Sequence, residues 1–286
     1  MQILHTVRQL RAWSREERSR GEKADGRTPI GLVPTMGALH AGHASLIRLA
    51  ADSCRRVAVS IFVNPTQFGP NEDFARYPRT FDADCALAEA EGAEVIFAPS
   101  VEELYPGGAA TFVAVEGLSG RLDGASRPGH FRGVATVVGK LFIAAEPDRA
   151  FFGQKDAAQV AVLRRMTADL RLGTEIVVCP IVREPDGLAL SSRNIYLSTE
   201  ERKQALVLSR AIGKVRALAA EGERSADVLI RAARAEFAGE PAVRVDYIEL
   251  VEWATLLPVG KAAPGSLFAV AAWVGPTRLI DNTILD

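Results

Sequence analysis

The chain has 286 residues, of which 48% are hydrophobic and 24% are charged. This composition is typical of a globular protein with one large domain or two ordinary ones, and it excludes a disordered chain. The formal net charge of −1 argues against a general polyanion binder, so we expect no nucleic-acid partner.

The cysteines and the apolar runs bear on the compartment. Cys54, Cys85 and Cys179 are widely spaced and form no CxxC pair, which is typical of a reducing compartment. The N-terminus is too charged for a secretory signal, and no apolar run reaches membrane-spanning length. We therefore expect a soluble cytoplasmic protein without a membrane partner.

The first hundred residues alternate predicted helices and strands. Residues 3–18 have the spacing of an amphipathic helix, 29–33 form a compact apolar run, and 43–54 again have helical spacing. Residues 57–63 are nearly all apolar and β-branched, which is typical of a strand buried on both faces of a parallel sheet. A helix over 82–91 that Thr80 can cap and a short strand over 95–97 follow. This alternation predicts a parallel α/β sheet flanked by helices.

The alternation continues to about residue 180 and then changes. A helix over 134–145, a strand over 149–152, a helix over 157–170 and a last strand over 175–178 complete the predicted sheet. Residues 181–194 are rich in loop residues, with a turn at 185–187. Helices over 199–220 and 225–238 and strands over 243–251 and 266–274 follow. We predict a Rossmann-like domain over 1–179 and a smaller α+β C-terminal domain over 180–286.

Three polar clusters each follow an apolar run and precede or open a helix. They are PTMGALHAGH (34–43), NPTQF (64–68) and GQKDAAQ (153–159). In open parallel sheets, ligands bind outside the carboxyl ends of strands and beside helix N-termini. The shared placement predicts that the three clusters contribute to one site.

The histidine pair His40 and His43 admits three interpretations. A metal site needs a third ligand, and the HExxH spacing is absent. The pair could instead cap a helix. A phosphate site uses more of the surroundings, because Gly37 and Gly42 allow close backbone approach and imidazoles add donors for phosphate oxygens. We favour the phosphate site.

The other two donor-rich segments also leave alternatives open. Lys155 could be an ordinary exposed lysine or a cation that reaches a phosphoryl group. Gln154, Asp156 and Gln159 could bind hydroxyl-bearing groups, or they could cap and cover the helix. Residues 191–194, with the sequence SSRN, form either an ordinary turn or a mobile loop that closes over a nucleotide.

Six ordered blocks resemble the pantothenate synthetase (pantoate–β-alanine ligase) family. They are PTMGALHAGH, VSIFVNPTQFGPNEDFARYPRT, RPGHFRGVATVV, FFGQKDAAQ, IVREPDGLALSSRNIYLS and TRLIDN, and they cover nearly the whole chain. This family belongs to the nucleotidyltransferase superfamily. HAGH resembles the HIGH-type element of that superfamily, and LSSRN resembles its KMSKS-type element. The resemblance implies that ATP and pantoate give pantoyl adenylate and pyrophosphate, and that β-alanine then displaces AMP to form pantothenate. It also implies Mg²⁺ with the ATP, and a homodimer.

The resemblance assigns site residues by position. It implies catalytic roles for His43 as a proton donor and for His40, Lys155, Ser191, Ser192 and Arg193. It implies an ATP site of Pro34, Thr35, Met36, Gly37, Ala38, Leu39, His40, Ala41, Gly42, His43, Gly153, Gln154, Lys155, Asp156, Val182, Leu190, Ser191, Ser192 and Arg193. Gln67 and Gln159 match pantoate-binding glutamines, and Asn64, Tyr77 and His130 are weaker candidates for pantoate or β-alanine.

Two positions depart from the family pattern. Leu190 stands where the family usually has Met, which keeps an apolar surface for adenine. Gln154 stands where the family commonly has Glu, which removes a charge. The acidic pattern around residues 81–84 varies, so the sequence assigns no magnesium ligand.

Competing functions remain open from the residues alone. An adenylyltransferase that moves AMP onto a phosphate would use the same HxGH chemistry. The glutamine pair and the region after residue 180 favour the ligase. The neutral charge disfavours an RNA-binding synthetase-like module, and a zinc hydrolase is the most remote alternative.

Overall fold

The computed structural model describes residues 1–20, 28–70, 72, 74–240 and 242–286. Within these residues the strands are β1 (Gln2–Leu4), β2 (Thr28–Thr35), β3 (Cys54–Ile61), β4 (Val95–Phe97), β5 (Arg149–Gly153), β6 (Glu175–Cys179), β7 (Val243–Glu252), β8 (Ser266–Val274) and β9 (Thr277–Leu285). The α-helices are α1 (Val7–Arg20), α2 (Ala41–Ser53), α3 (Phe81–Ala90), α4 (Val101–Leu104), α5 (Asp123–Ser126), α6 (His130–Ala145), α7 (Ala157–Asp169), α8 (Thr199–Ala220) and α9 (Ala226–Ala238).

Strands β1 to β6 form a parallel sheet in the order β1-β4-β3-β2-β5-β6. The chain runs outward from β2 through β3 to β4 and then returns to place β5 on the other side of β2. The strand order therefore reverses between β2 and β5, which is where open parallel sheets bind ligands. The predicted Rossmann-like parallel sheet is confirmed.

The sheet is buried on both faces, as its apolar strands predict. One face packs under α1, α6 and α7, with Leu32, Ala58, Phe97 and Phe152 in its core. The opposite face packs under α2 and α3, with Val33, Val59 and Phe151 in its core. The helices on the two faces leave the carboxyl ends of β2 and β5 to border an open cavity.

The C-terminal sheet is antiparallel, with strand order β7-β8-β9, and it packs against α8 and α9. Strand β9 is an element that the sequence did not predict beyond the TRLIDN block. Leu267 and Ala269 of β8 belong to the same core as the helices α6 and α7. The boundary predicted near residue 180 follows β6 directly, and the division into two domains stays a prediction.

An ion-pair cluster joins helix α5 to the C-terminal sheet. Arg278 of β9 donates to Asp123 Oδ1 at 2.7 Å and to Asp246 Oδ2 at 2.8 and 2.9 Å. Tyr247 donates its hydroxyl to Asp123 Oδ2 at 3.3 Å, and Ser126 donates to Asp246 at 2.7 Å. These contacts hold α5 against the C-terminal sheet.

Most element predictions agree with the structure, and the N-terminus differs. The helix predicted over 3–18 begins only at Val7, because Gln2–Leu4 pairs with β4 as an edge strand. Strand β3 covers 54–61 rather than 57–63. Thr80 occupies the N-cap of α3 but makes no capping bond with its side chain. None of the described helices is long and apolar enough to cross a membrane.

Candidate active site

A cavity of about 230 Å³ lies at the carboxyl ends of β2, β3 and β5. A second cavity of about 590 Å³ adjoins it on the side of the C-terminal sheet. The two share Arg127, His130, Lys155, Asp156, Gln159, Ser191 and Arg193 on their walls. The three polar clusters therefore do contribute to one site, as their placement after strands predicts.

A buried carboxylate holds the loop that follows β2. Asp84, which is 2% exposed, accepts hydrogen bonds from Ala38 N at 2.9 Å and from Leu39 N at 2.8 Å. Thr80 Oγ1 donates to the same carboxylate at 3.0 Å. Gly37 has φ of +83° and lies against this group: an added Cβ would come within 2.9 Å of Asp84 Oδ2. The glycine is needed for packing on Asp84 and for the left-handed backbone.

His40 and His43 cap the helix α2 reciprocally. His40 Nδ1 accepts from Gly42 N at 3.1 Å, and His43 Nδ1 accepts from His40 N at 3.3 Å. The ring centroids are 4.2 Å apart, and both rings line the cavity. The capping interpretation is therefore confirmed, and it coexists with a position on the cavity wall.

The same contacts determine which ring nitrogen is protonated. A backbone N–H can only donate, so each Nδ1 is an acceptor and each neutral ring carries its proton on Nε2. Burial, the neighbouring His40 and then Lys155 lower the pKa of His43 to about 3. Burial and Lys155 also lower the pKa of His40. At neutral pH the pair presents uncharged Nε2–H donors.

The pantoate candidates are held by a hydrogen-bonded network. Gln67 Oε1 accepts from Asn64 Nδ2 at 3.0 Å, and its Nε2 donates to Met36 Sδ at 3.0 Å. Asn64 also donates to the carbonyl of Gly133 at 3.1 Å. Asn64, Gln67 and Tyr77 are buried on the cavity wall. These contacts fix the orientation of the Gln67 carboxamide before any ligand binds.

His130 is hydrogen-bonded to this network through the backbone of Gln67. Arg127 can only donate, so His130 Nε2 accepts from it at 3.0 Å and Nδ1–H donates to Gln67 O at 2.8 Å. Burial and the Arg127 charge lower the pKa of His130 to about 4. Arg127 itself is paired with Glu72 at 2.6 and 2.7 Å. Arg127 is the first residue of the RPGHFRGVATVV block, but the sequence pattern did not predict it as part of the site.

The GQKD segment forms a single 3-10 turn, residues Gln154–Asp156, between β5 and α7. Gly153, Lys155, Asp156 and Gln159 line the cavity. The Lys155 charge acts on both His40 and His43, and all three side chains line this cavity. This position is consistent with the phosphate-directed interpretation of Lys155, which stays a prediction.

The SSRN segment is a 3-10 turn, residues Ser192–Tyr196, capped by Ser191 Oγ, which accepts from Arg193 N at 3.3 Å. Leu190 N donates to Val182 O at 3.0 Å and holds the loop in a hairpin. Asn194 donates to Glu184 at 2.7 Å and to Ala189 O at 3.1 Å. Val182 and residues 190–193 line the cavity. Closure of this loop stays a prediction.

Five expected ATP-site residues are not among those that line either cavity: Gly37, Ala38, Leu39, Ala41 and Gln154. The backbone amides of Ala38 and Leu39 are used by Asp84. The Gln154 amide donates to Asn282 Oδ1 at 3.2 Å. Contact with ATP stays a prediction for these five residues, as it does for those that line the cavity.

Tertiary contacts also bring in residues that the sequence did not single out. Apolar side chains of α6, among them Val134, Val138 and Leu141, form one wall of the cavity. Asp84 and Asn282 hold the loops from outside. Val134 and Val138 lie in the RPGHFRGVATVV block and Asn282 ends the TRLIDN block, whereas Leu141 and Asp84 lie outside the six blocks. Among the described residues, no group of three or more His, Cys, Asp or Glu side chains could hold a metal ion.

The fold is a parallel sheet whose strand order reverses, with two helix-opening loops at its carboxyl edge. The cavity beside these loops is lined by neutral imidazole donors and by a lysine. These features are typical of an α/β protein that binds an anionic, phosphate-bearing ligand. The family model for pantoate-beta-alanine ligase matches residues 2–284. The chain therefore belongs to the pantoate-beta-alanine ligase family.

Similar proteins agree with this assignment. A pantothenate synthetase from Acidobacterium capsulatum is 60% identical, with 100% of this chain and 97% of the relative covered. A crystal structure of pantothenate synthetase from Thermus thermophilus has a TM-score of 0.91 at 46% identity, covering 99% of each chain. A pantoate-beta-alanine ligase from Francisella tularensis, complexed with beta-gamma ATP and beta-alanine, has a TM-score of 0.77 at 32% identity. It covers 99% of this chain and 97% of that one.

Proposed function

We propose that this chain condenses pantoate with β-alanine to pantothenate, using ATP and releasing AMP and pyrophosphate through a pantoyl-adenylate intermediate. One observation carries the proposal: a single cavity joins the histidine pair, the Lys155 turn, the 190–193 loop and the glutamines Gln67 and Gln159, in a chain whose family model matches residues 2–284. The ATP and β-alanine bound to the Francisella ligase support the same substrates here.

The first step joins the pantoate carboxylate to the α-phosphorus of ATP and breaks the bond to pyrophosphate. A carboxylate resists attack by an amine, because it is negatively charged and its oxygen is a poor leaving group. A mixed anhydride with AMP removes both obstacles. The amine of β-alanine then attacks the acyl carbon, AMP leaves with the bonding electrons, and the amine loses a proton.

The cavity offers what this chemistry needs. Negative charge collects on the α-phosphate and the departing pyrophosphate, where preplaced donors and cations stabilise it. Lys155 would supply the cation, and Ser191, Ser192 and Arg193 would contact the triphosphate. His40 and His43 would donate Nε2–H hydrogen bonds to phosphate oxygens. With a pKa of about 3, His43 would act as a neutral donor rather than as an imidazolium acid.

Substrate selection would fall to the oriented amides. Gln67 and Gln159 can bind the hydroxyl and carboxylate groups of pantoate, and Asn64 fixes the Gln67 carboxamide at 3.0 Å. Tyr77 and His130 would complete this side of the site. Leu190 would pack on adenine.

Mg²⁺ would enter with the ATP, where it neutralises phosphate charge. Hard oxygen ligands suit this ion, and it usually keeps several waters beside substrate phosphates. No cluster of three acidic or other ligating side chains is present in the described ranges. The described residues therefore offer no resident magnesium site, and we propose that the ion enters as part of the substrate MgATP.

The test is pantoate-dependent exchange of labelled pyrophosphate into ATP, with β-alanine left out. We expect exchange, because adenylate formation is reversible when no β-alanine is present to consume the pantoyl adenylate. A protein that binds ATP but shows no exchange, with pyrophosphate in excess, would contradict the adenylate route. Exchange that depends on a phosphate acceptor instead of pantoate would favour the adenylyltransferase alternative.

The assembly and the compartment are further parts of the proposal. We propose a homodimer and a cytoplasmic location on the strength of the family membership. Light scattering of the purified protein would measure the oligomeric state, and a monomer across the micromolar range would contradict the dimer.

A further inference from the structure

We propose that Asn282 in β9 is a positioning residue for Lys155. The proposal rests on the function proposed above, because it concerns how the phosphate-binding segments are held. It assigns to the last strand of the C-terminal sheet a part in the first chemical step.

Asn282 clamps the Lys155 turn through three hydrogen bonds. Its Nδ2 donates to Gln154 O at 3.0 Å and to Lys155 O at 2.9 Å. Its Oδ1 accepts from Gln154 Nε2 at 3.2 Å. The side chain is buried, with 3% of the residue exposed. Both polar atoms of the Asn282 carboxamide are thus committed to this turn.

Side-chain capping does not add to the restraint on this turn. Gln154–Asp156 is a three-residue 3-10 turn, and Gly153 and Asp156, at the N-cap positions of the turn and of α7, make no side-chain capping bond. Short 3-10 turns have poorer hydrogen-bond geometry than α-helices. Side-chain bonds from β9 therefore supply much of the restraint on the backbone that carries Lys155.

Residue 154 is complementary to this clamp. The Gln154 amide donates to Asn282 Oδ1 while Asn282 donates to the Gln154 carbonyl. A glutamate, which the family commonly has here, has no N–H to donate when ionised. Gln154 thus contributes to the clamp rather than to the wall of the cavity.

Asp281 extends the same strand to the second phosphate-binding segment. Its carboxylate accepts from Arg183 Nη1 at 2.6 Å and Nη2 at 2.8 Å. Arg183 Nη1 also donates to Gly187 O at 3.1 Å. Asp281 is 2% exposed and Arg183 is partly buried, and a bidentate pair of this kind is geometrically specific. Adjacent residues of β9 therefore connect the Lys155 turn with the hairpin that contains residues 182–190.

Loss of the clamp should move Lys155 without removing it. A displacement of about 1 Å at a charged group costs on the order of 10² in rate. We expect Asn282→Ala to lower kcat of pyrophosphate exchange by about 10- to 100-fold, with the KM for pantoate nearly unchanged. Asn282→Asp, which has the same shape, should do the same, because it places an oxygen opposite the two carbonyls.

The decisive measurement is a double-mutant cycle in pantoate-dependent pyrophosphate exchange. The variants are Asn282→Ala, Lys155→Ala and both together. If Asn282 acts through Lys155, its effect should nearly vanish in the Lys155→Ala background. If the fold-loss in exchange rate of the double variant equals the product of the two single-variant losses, the proposal is overturned, because Asn282 then acts independently of Lys155.

The matched control is Thr283→Val. Thr283 is the next residue of β9 and is also buried, and its hydroxyl donates to the carbonyl of the adjacent Ile284 at 3.3 Å. It should keep wild-type exchange. Wild-type exchange in Asn282→Ala would also overturn the proposal. If Asn282→Ala and Asn282→Asp both fail to fold where Thr283→Val folds, the role of Asn282 is structural only and the proposal is wrong. No exchange in the wild-type protein would instead contradict the proposed function.

Discussion

Asp84 is the residue on which the loop after β2 depends most. Its carboxylate accepts from Ala38 N and Leu39 N at 2.9 and 2.8 Å, and from Thr80 Oγ1 at 3.0 Å. In Asp84→Asn, one carboxylate oxygen becomes an NH₂ group. That group cannot accept a hydrogen bond, so one backbone N–H would face a donor.

The magnitude follows from the contacts. A hydrogen bond to a charged group contributes about 1.5–3 kcal/mol, and leaving a buried donor unsatisfied costs about as much. Asp84→Asn keeps one backbone bond, so we expect the free energy of unfolding to fall by about 2–3 kcal/mol. Asp84→Ala removes all three bonds and should cost about 3–6 kcal/mol. The loop leads directly to His40, so turnover should fall by on the order of 10².

The assays are urea unfolding and pyrophosphate exchange. The urea midpoint should fall while the m-value stays constant, which indicates a stability change in an unaltered fold. Asp82→Asn is the matched control, because Asp82 is in the same first helical turn and is exposed. Equal stability and equal turnover of Asp84→Asn and Asp82→Asn would refute the role given to Asp84.

Four further predictions use the same two assays. Lys155→Ala should lower turnover by roughly 10²–10³, by analogy with removal of one oxyanion-hole donor, and wild-type turnover would contradict its role. His43→Ala should lower turnover more than it weakens resting ATP affinity; the opposite pattern would make it a binding residue only. The pKa values of His130 and His43, about 4 and about 3, lie below the ordinary 6.5. As the pH falls, these two histidines are therefore protonated in the unfolded chain at a higher pH than in the folded protein. Stability should therefore fall as the pH drops below about 6.5, by about 2 kcal/mol per histidine at pH 5, and equal urea midpoints at pH 7 and pH 5 would refute this. Gly133→Ala should cost at least about 1–3 kcal/mol and raise the KM for pantoate, because its Cβ would lie 2.4 Å from Thr66 O and 2.6 Å from Gln67 N. Gly213→Ala, in open space on α8, is the control and should be neutral or stabilising.

The sequence alone determined most strands of the parallel sheet and the edge of that sheet at which the polar clusters meet. Apolar runs such as that of β3 predicted buried parallel strands, because a strand covered on both faces needs few polar residues. The clusters after β2, β3 and β5 then had to meet, because the carboxyl ends of parallel strands share one edge of a sheet. The site residues His40, Gln67, Lys155 and Ser191 followed from that rule and from the family motifs.

Local pattern was ambiguous where a short segment had two uses. Residues 3–4 fit the apolar spacing of a helix, yet they pair with Ile96 and Phe97 because the sheet had an open edge there. The histidine pair fitted a cap or a phosphate site, and the structure has the cap on the cavity wall. Periodicity could not separate these uses, since both are consistent with the same spacing.

Only the tertiary structure decided what holds the site in position. Asp84 reaches a loop 45 and 46 residues before it, and Asn282 reaches a turn 127 and 128 residues before it. Neither contact follows from local spacing, because each depends on how separate elements pack around the sheet. The protonation of the two histidines has both origins. The capping bonds that make each Nδ1 an acceptor are local, over two and three residues, whereas the burial and the Lys155 charge that lower both pKa values come from the tertiary structure. The local sequence thus determines which chemical groups the site contains, while much of their positioning comes from distant residues that folding brings beside them.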